Sequence, residues 1–314
     1  MAKSKKNRGK KTQKNHFLKN VIFILAVIAF VLLAQHCRSN GTLPDELAQF
    51  FDSITSVQTQ TQSESTTPSF QSENQDALDF PKGLEIPVCA GNHGAKDHQR
   101  RDFLYYSLCY RESYEQAEWS AYVLDSSNLV KNASRSNDFR EDPEIKTGSA
   151  TLKDYKSSGY DRGHLTPAAD MSFSSDAMSE TFYMSNMSPQ AGAFNRGIWR
   201  LLEEQVRVWA QKFSRVYVVS GPILDKSAGK FKKIGASNVS VPEKYYKVVL
   251  AKSGNDVLAL GFIIPNDECK GKKFWDFAVS VDEVEKATAL DFFSLLDDKT
   301  ENVAESSFDL ALWK

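Results

Sequence analysis

The chain has 314 residues, 41% of them hydrophobic and 25% charged, with 39 Lys/Arg against 40 Asp/Glu. That length and apolar content can bury a full core, which excludes a chain disordered throughout. The formal net charge of -1 hides a segregation, because the first 20 residues hold eight Lys/Arg and no acid, leaving 31 bases against 40 acids.

Behind this basic tail (residues 1–19) comes an unbroken apolar run from Val21 to Ala34. With Phe17 and Leu18 it approaches the lower limit of about 17 residues for crossing a bilayer. Two readings compete, a removable signal peptide and an uncleaved anchor. The exit Ala34-Gln35-His36-Cys37 fits a signal peptidase poorly at His36, and it is no better before a lipid-accepting Cys37. The favoured expectation is a transmembrane signal anchor over 20–37. Its flanking cations stay in the cytoplasm and the remainder faces outward, periplasmic or extracellular. Residues 38–80 are rich in Ser, Thr and Gln with few large apolar residues, and so read as a disordered tether.

The folded domain is expected over 84–314, with 30 bases against 33 acids from residue 82 onward and three cysteines, Cys89, Cys109 and Cys269. One disulfide is possible in an oxidising compartment, and the sequence does not choose the pair. His93 and His98 form a lone, weak metal-ligand pair in a polar loop.

Along the domain, YSLCYRESYEQAEWSAYVL predicts two strands around a polar connection, and RVYVVSGPIL predicts a third. YYKVVLA and DVLALGFIIP flank Ser253-Gly254-Asn255 as a hairpin. NRGIWRLLEEQVRVWAQKF predicts a helix with Ile198, Leu201, Leu202, Val206 and Trp209 on its apolar face, its Trp199 and Trp209 in the core. VDEVEKATALDFFSLL predicts another, with Val284, Ala287, Leu290 and Phe293 or Ser294 at helical spacing. The fold class is α+β in one domain, a largely antiparallel sheet flanked by helices.

Between these elements lies GYDRGHL, residues 159–165. By itself DRGH could be a turn, with Gly163 supplying freedom, Asp161 capping, Arg162 solvated and His164 a surface histidine. Downstream, TFYMSNMSPQAGAFNRGIWRLLEEQ adds Asn186, Asn195 and Glu203.

This constellation resembles the sugar-nonspecific DNA/RNA endonuclease family of the ββα-metal, or His-Me finger, superfamily (endonuclease G-like). The similarity runs through AEWSAYVL, SRSNDFREDP, GYDRGHLTPAADM, FYMSNMSPQ, FNRGIWRLLE, VYVVSGPIL, VPEKYYKVVL and VSVDEVEKATALDFF, in that order. The resemblance implies a ββα-metal nuclease fold. It implies His164 as general base, Asn195 as metal ligand, Glu203 as the helix glutamate, Arg162 as the motif arginine and Arg135 as the upstream phosphate-contacting arginine. Arg140, in the same loop, competes with Arg135.

Each role has a chemical reason. A neutral histidine can take a proton from water near pH 7. Charge gained in the transition state asks for arginine and a divalent cation at the phosphoryl and departing oxygens. Mg²⁺, with Mn²⁺ as a substitute, accepts one amide carbonyl plus waters and phosphate oxygens. Glu203, eight residues beyond Asn195, is suited to holding a metal-bound water. Asn186 lines the site or orients a loop, with a purely structural turn role as the alternative. The lysines of KSAGKFKKIG, residues 226–235, offer a local patch on a domain without a polybasic footprint.

The expected function is Mg²⁺-dependent endonuclease cleavage of DNA and RNA with little sequence preference, and the resemblance implies 5′-phosphate products. The alternative is a catalytically inactive nucleic-acid-binding surface module. A homo-oligomer stays open.

Overall fold

The computed structural model describes residues 80–89, 96–224 and 231–314. The basic tail, the anchor expected over 20–37, nearly all of the tether, His93 and residues 226–230 lie outside the described residues. In chain order the elements are β1 (His98–Asp102), β2 (Tyr106–Arg111), β3 (Gln116–Asp125), α1 (Leu152–Tyr155), β4 (Tyr160–His164), α2 (Ser175–Glu180), β5 (Met187–Ala191) and α3 (Gly192–Phe194). A π-helical turn, Asn195–Trp199, leads into α4 (Arg200–Phe213). There follow β6 (Arg215–Pro222), β7 (Lys233–Ile234), β8 (Val239–Ser240), β9 (Lys244–Ser253), β10 (Asp256–Pro265), β11 (Ala278–Val279), α5 (Val281–Thr288), α6 (Asp298–Ser306) and α7 (Leu310–Trp313).

Seven strands form one antiparallel sheet in the order β1-β2-β3-β6-β9-β10-β11, and β4 pairs with β5 apart from it. Side chains alternate between faces along a strand, so β9 divides its apolar residues. Tyr245, Val249 and Ala251 join Trp199, Leu202, Val206 and Trp209 on one face, whereas Tyr246, Val248 and Leu250 join Val281, Val284 and Ala304 on the other. Helices cover both faces, which is why the strands read as nearly continuous apolar runs. The first face is interrupted by a polar row. Ser120, Ser220 and Lys247 are all buried, and the register sets Ser120 opposite Ser220 and Ser220 opposite Lys247.

Two helix expectations change. Leu201, placed on the apolar face, is 45% exposed, because the helix enters through a π turn kinked at Gly197 (φ −104°, ψ −112°), which resets the phase. The second helix ends at Thr288, where Ala289 turns left-handed (φ 57°), so Leu290, Phe293 and Ser294 are not on it. Trp199 and Trp209 are fully buried, as expected of core residues. Cys89 pairs with Cys109, leaving Cys269 as a half-buried thiol. Among the described residues no helix is long and apolar enough to cross a membrane.

Candidate active site

The DRGH sequence is a strand, not a turn. β4 runs antiparallel to β5, with Gly163 opposite Ser188 and His164 opposite Met187. A Cβ at Gly163 would lie 2.1 Å from Cδ of Gln190, which is fully buried, so close approach demands glycine here. Alternation then sends Arg162 and His164 to one side, over two phenylalanines.

Phe139 and Phe182 meet edge to face at 4.8 Å and carry the three basic side chains. The His164 ring sits 4.9 Å from Phe182 and 5.8 Å from Phe139. Arg162 stacks over Phe139 at 4.1 Å and Arg135 over Phe182 at 4.8 Å. Burial, reinforced by the charges of Arg135 and Arg162, pushes the His164 imidazole down to about 3. His164 is therefore neutral at physiological pH, and its buried Nε2 has no hydrogen-bond partner. Sequence patterns read both phenylalanines as ordinary core; only their contacts make them a platform.

Arg140 is engaged elsewhere. It donates to Asp138 and to the Ser179 carbonyl and stacks on Tyr183 at 3.8 Å. Arg135 donates only to Asn137, at 3.0 Å, and its charge is felt by both His164 and Glu203.

On the other side of β4, Asp161 accepts Nδ2 of Asn195 at 3.1 Å and a bidentate pair from Arg196 at 2.9 and 3.0 Å. With its nitrogen held, Asn195 offers Oδ1, the atom a hard cation prefers, and the donor set fits such an ion. Asn195, Asp161, Arg162, Tyr160 and Phe139 line a cavity of about 510 Å³. Lys232, from the lysine-rich loop, reaches its rim over Tyr160 at 4.9 Å. Among the described residues the carboxylate, thiol and imidazole clusters fall elsewhere, so an ion here would lean on an amide oxygen and water.

Glu203, on the first turn of α4, faces the polar row of the sheet. Burial raises its carboxyl above the usual range, Lys247 opposes that rise, and Asp170 adds to it. Lys247 is fully buried, donates to the Ser220 hydroxyl and lies 4.6 Å from the Trp199 ring. Asp170 accepts from Tyr122 at 2.6 Å and from Arg207 at 2.7 Å. Lys247 escaped the sequence analysis, since a single lysine in YYKVVLA reads as a solvent-facing strand position.

Asn186 is fully buried. Its Nδ2 donates to the carbonyls of Thr166 and Thr181, and its Oδ1 accepts the Thr166 amide, each at 3.0 Å. Its carboxamide is engaged by Thr166, two residues after His164, and by Thr181, the arrangement that the loop-orienting reading expects.

The profile of the DNA/RNA non-specific endonuclease family matches residues 89–299. Nuclease C1 of Cunninghamella echinulata var. echinulata is 39% identical over 216 residues, 64% of this chain and 86% of that protein. The human mitochondrial nuclease EXOG is 38% identical over 213 residues, 63% of this chain and 58% of that protein. The crystal structure of an EndoG/EndoGI complex aligns with a TM-score of 0.60 at 32% identity, over 64% of this chain and 88% of that one.

Proposed function

The chain belongs to the DNA/RNA non-specific endonuclease family and is a nuclease; from that premise we propose a cation-dependent hydrolysis of DNA and RNA phosphodiester bonds with His164 as general base. The observation that carries the proposal is the buried imidazole, its Nε2 unpartnered, sharing one aromatic platform with two arginines.

His164 takes a proton from the attacking water. Its low basicity in the free protein stems from burial and from Arg135 and Arg162. A bound phosphate offsets the charge of both arginines, so the imidazole regains the share of basicity that they remove, while the larger effect of burial stays. Arg162 and Arg135 then hold the phosphoryl oxygens as negative charge builds. When bound, a divalent cation, Mg²⁺ with Mn²⁺ as substitute, stabilises charge on the phosphoryl and departing 3′ oxygens. Asn195 would hold it through Oδ1, oriented by Asp161, and Glu203 would hold a water beside it. Departure of the 3′ oxygen leaves a 5′-phosphate product.

The test separates base from ligand. His164→Ala loses roughly 10²- to 10⁴-fold in rate while still binding nucleic acid, and no amount of Mg²⁺ recovers it. Asn195→Ala loses rate too, but its residual activity requires more Mg²⁺. Near-normal turnover by His164→Ala would leave the inactive binding module as the better reading.

We further propose that the domain works outside the cytoplasm, attached through residues 20–37. The Cys89–Cys109 disulfide supports an oxidising compartment. Protease added to intact cells should release the domain; complete protection overturns this orientation.

A further inference from the structure

On the sheet face opposite the catalytic cavity, α5 and α6 pack against β10 and against each other. There Asp282 and Glu285 of α5 and Glu305 of α6 each bring a carboxylate oxygen within 4.8 Å of the others. Glu305 is 4% exposed, and its buried Oε1 has no hydrogen-bond partner. Glu285 is half-buried, with one oxygen accepting the Phe292 amide at 2.8 Å. Asp282 is exposed and leaves the cluster open to solvent.

Nothing in this neighbourhood repays the burial of Glu305. The charges that bear on it most are Glu285, Glu301, Asp282 and Asp291, every one acidic. Residues 281–309 hold nine acids and two lysines. A carboxylate taken from water without a partner must gain a proton or a cation. A buried carboxyl with one oxygen unpartnered, in a group of three carboxyls that can share one ion, favours the cation.

We propose that Asp282, Glu285 and Glu305 form a divalent-cation site, selective for Ca²⁺, that clamps α6 to α5. The donors are all oxygens, which suits a hard cation and disfavours zinc or copper. The three oxygens lie within 4.8 Å of one another, near enough to share one ion; the preference for Ca²⁺ follows from its tolerance of irregular oxygen shells, where Mg²⁺ demands near-ideal octahedral geometry and gives up water reluctantly. Water supplies the remaining positions through the opening at Asp282. The clamp holds Ala304 on the core formed by Val281, Val284 and Phe292. Beyond α6 lies Trp313 of α7, whose carbonyl accepts Nε1 of Trp209 on α4 at 2.7 Å.

The test is thermal melting of the full-length chain in detergent, stripped with chelator and then given millimolar Ca²⁺. The midpoint rises by roughly 4–8 °C. Asn195→Ala keeps that rise and Glu305→Gln loses it, whereas Mg²⁺ at the same concentration gives a smaller one. In chelator, Glu305→Gln melts no lower than the wild type, since the amide relieves the repulsion. Should Glu305→Gln fail to fold, the surface change Asp282→Asn decides: it leaves the chelator midpoint in place and raises the Ca²⁺ needed at least tenfold. No Ca²⁺ response in the wild type, or one lost with Asn195→Ala and kept with Glu305→Gln, overturns the proposal. Neither result bears on nuclease activity, which is not the readout.

Discussion

His164 and Glu203, both within the field of Arg135, have opposite titration problems. Burial lowers the imidazole and raises the carboxyl, so each is biased toward its neutral form. The histidine gains from this, because it must start as a base. Glu203 must be ionised to hold a cation-bound water, and its ionised form is lost as pH falls through its raised pKa. The acid limb of kcat/KM therefore lies above the ordinary carboxylate range and belongs to Glu203, since His164, at about 3, adds nothing there. Lys247 is the main group holding the Glu203 carboxyl down. Lys247→Met shifts the acid limb to higher pH, and Glu203→Gln abolishes the limb along with most of the rate. A pH profile of kcat/KM checks this; an unmoved limb in Lys247→Met would sink the role given to the lysine. Arg162, His164, Asn195 and Glu203 stood out in the sequence through the family resemblance of DRGH and the asparagine and glutamate downstream, since DRGH by itself reads equally well as a turn. Phe139, Phe182 and Lys247 did not stand out, since their part in the site comes only from what the fold stacks against them.

At the scale of elements, the β4–β5 ladder is what aligns Arg162 with His164. Its weak point is Gly163 against Gln190, where an added methyl has no room. Gly163→Ala costs roughly 1–3 kcal/mol by overpacking and displaces His164, so activity falls further than stability. Adding Gln190→Ala makes room and restores part of both, and a double-mutant cycle measures the coupling. An additive cycle would mean that the glycine serves something else. Asn186→Ala, by contrast, orphans the Thr166 amide and two carbonyls and lowers stability by about 2–4 kcal/mol in denaturant titration. The long strands β2, β3, β6, β9 and β10 were legible because buried apolar runs bounded by turn residues have few other readings. β4 was not: five residues, YDRGH, carry no apolar alternation, and the partner that makes them a strand begins at Met187. The start of α4 was misplaced for a related reason, since the π turn at Asn195 has the composition of ordinary helix.

Over the whole molecule, charge is arranged by face. The domain is close to neutral from residue 82 onward, with 30 bases against 33 acids, yet the acids crowd residues 281–309 behind the sheet. Arg162 lines the catalytic cavity, Arg135 stacks beside it on Phe182, and Lys232 lies over Tyr160 at the rim. Nonspecific binding to nucleic acid draws on phosphate neutralisation, and each neutralised phosphate of a duplex adds about −0.9 to the slope of log K against log salt. Three such contacts give a slope of roughly −2 to −3, far shallower than an extended basic surface produces. The measurement uses His164→Ala in chelator, so that neither cleavage nor divalent cations distort the equilibrium. Arg135→Ala reduces the slope by about one contact. Arg140→Ala leaves it unchanged, because that guanidinium is held by Asp138, Ser179 and Tyr183. A slope steeper than about −6 would reveal a basic surface beyond the cavity, and equal effects of the two substitutions would remove Arg135 from the phosphate. A shallow slope also fits turnover: a nuclease that holds its product weakly across ordinary salt concentrations is free to release it and cut again.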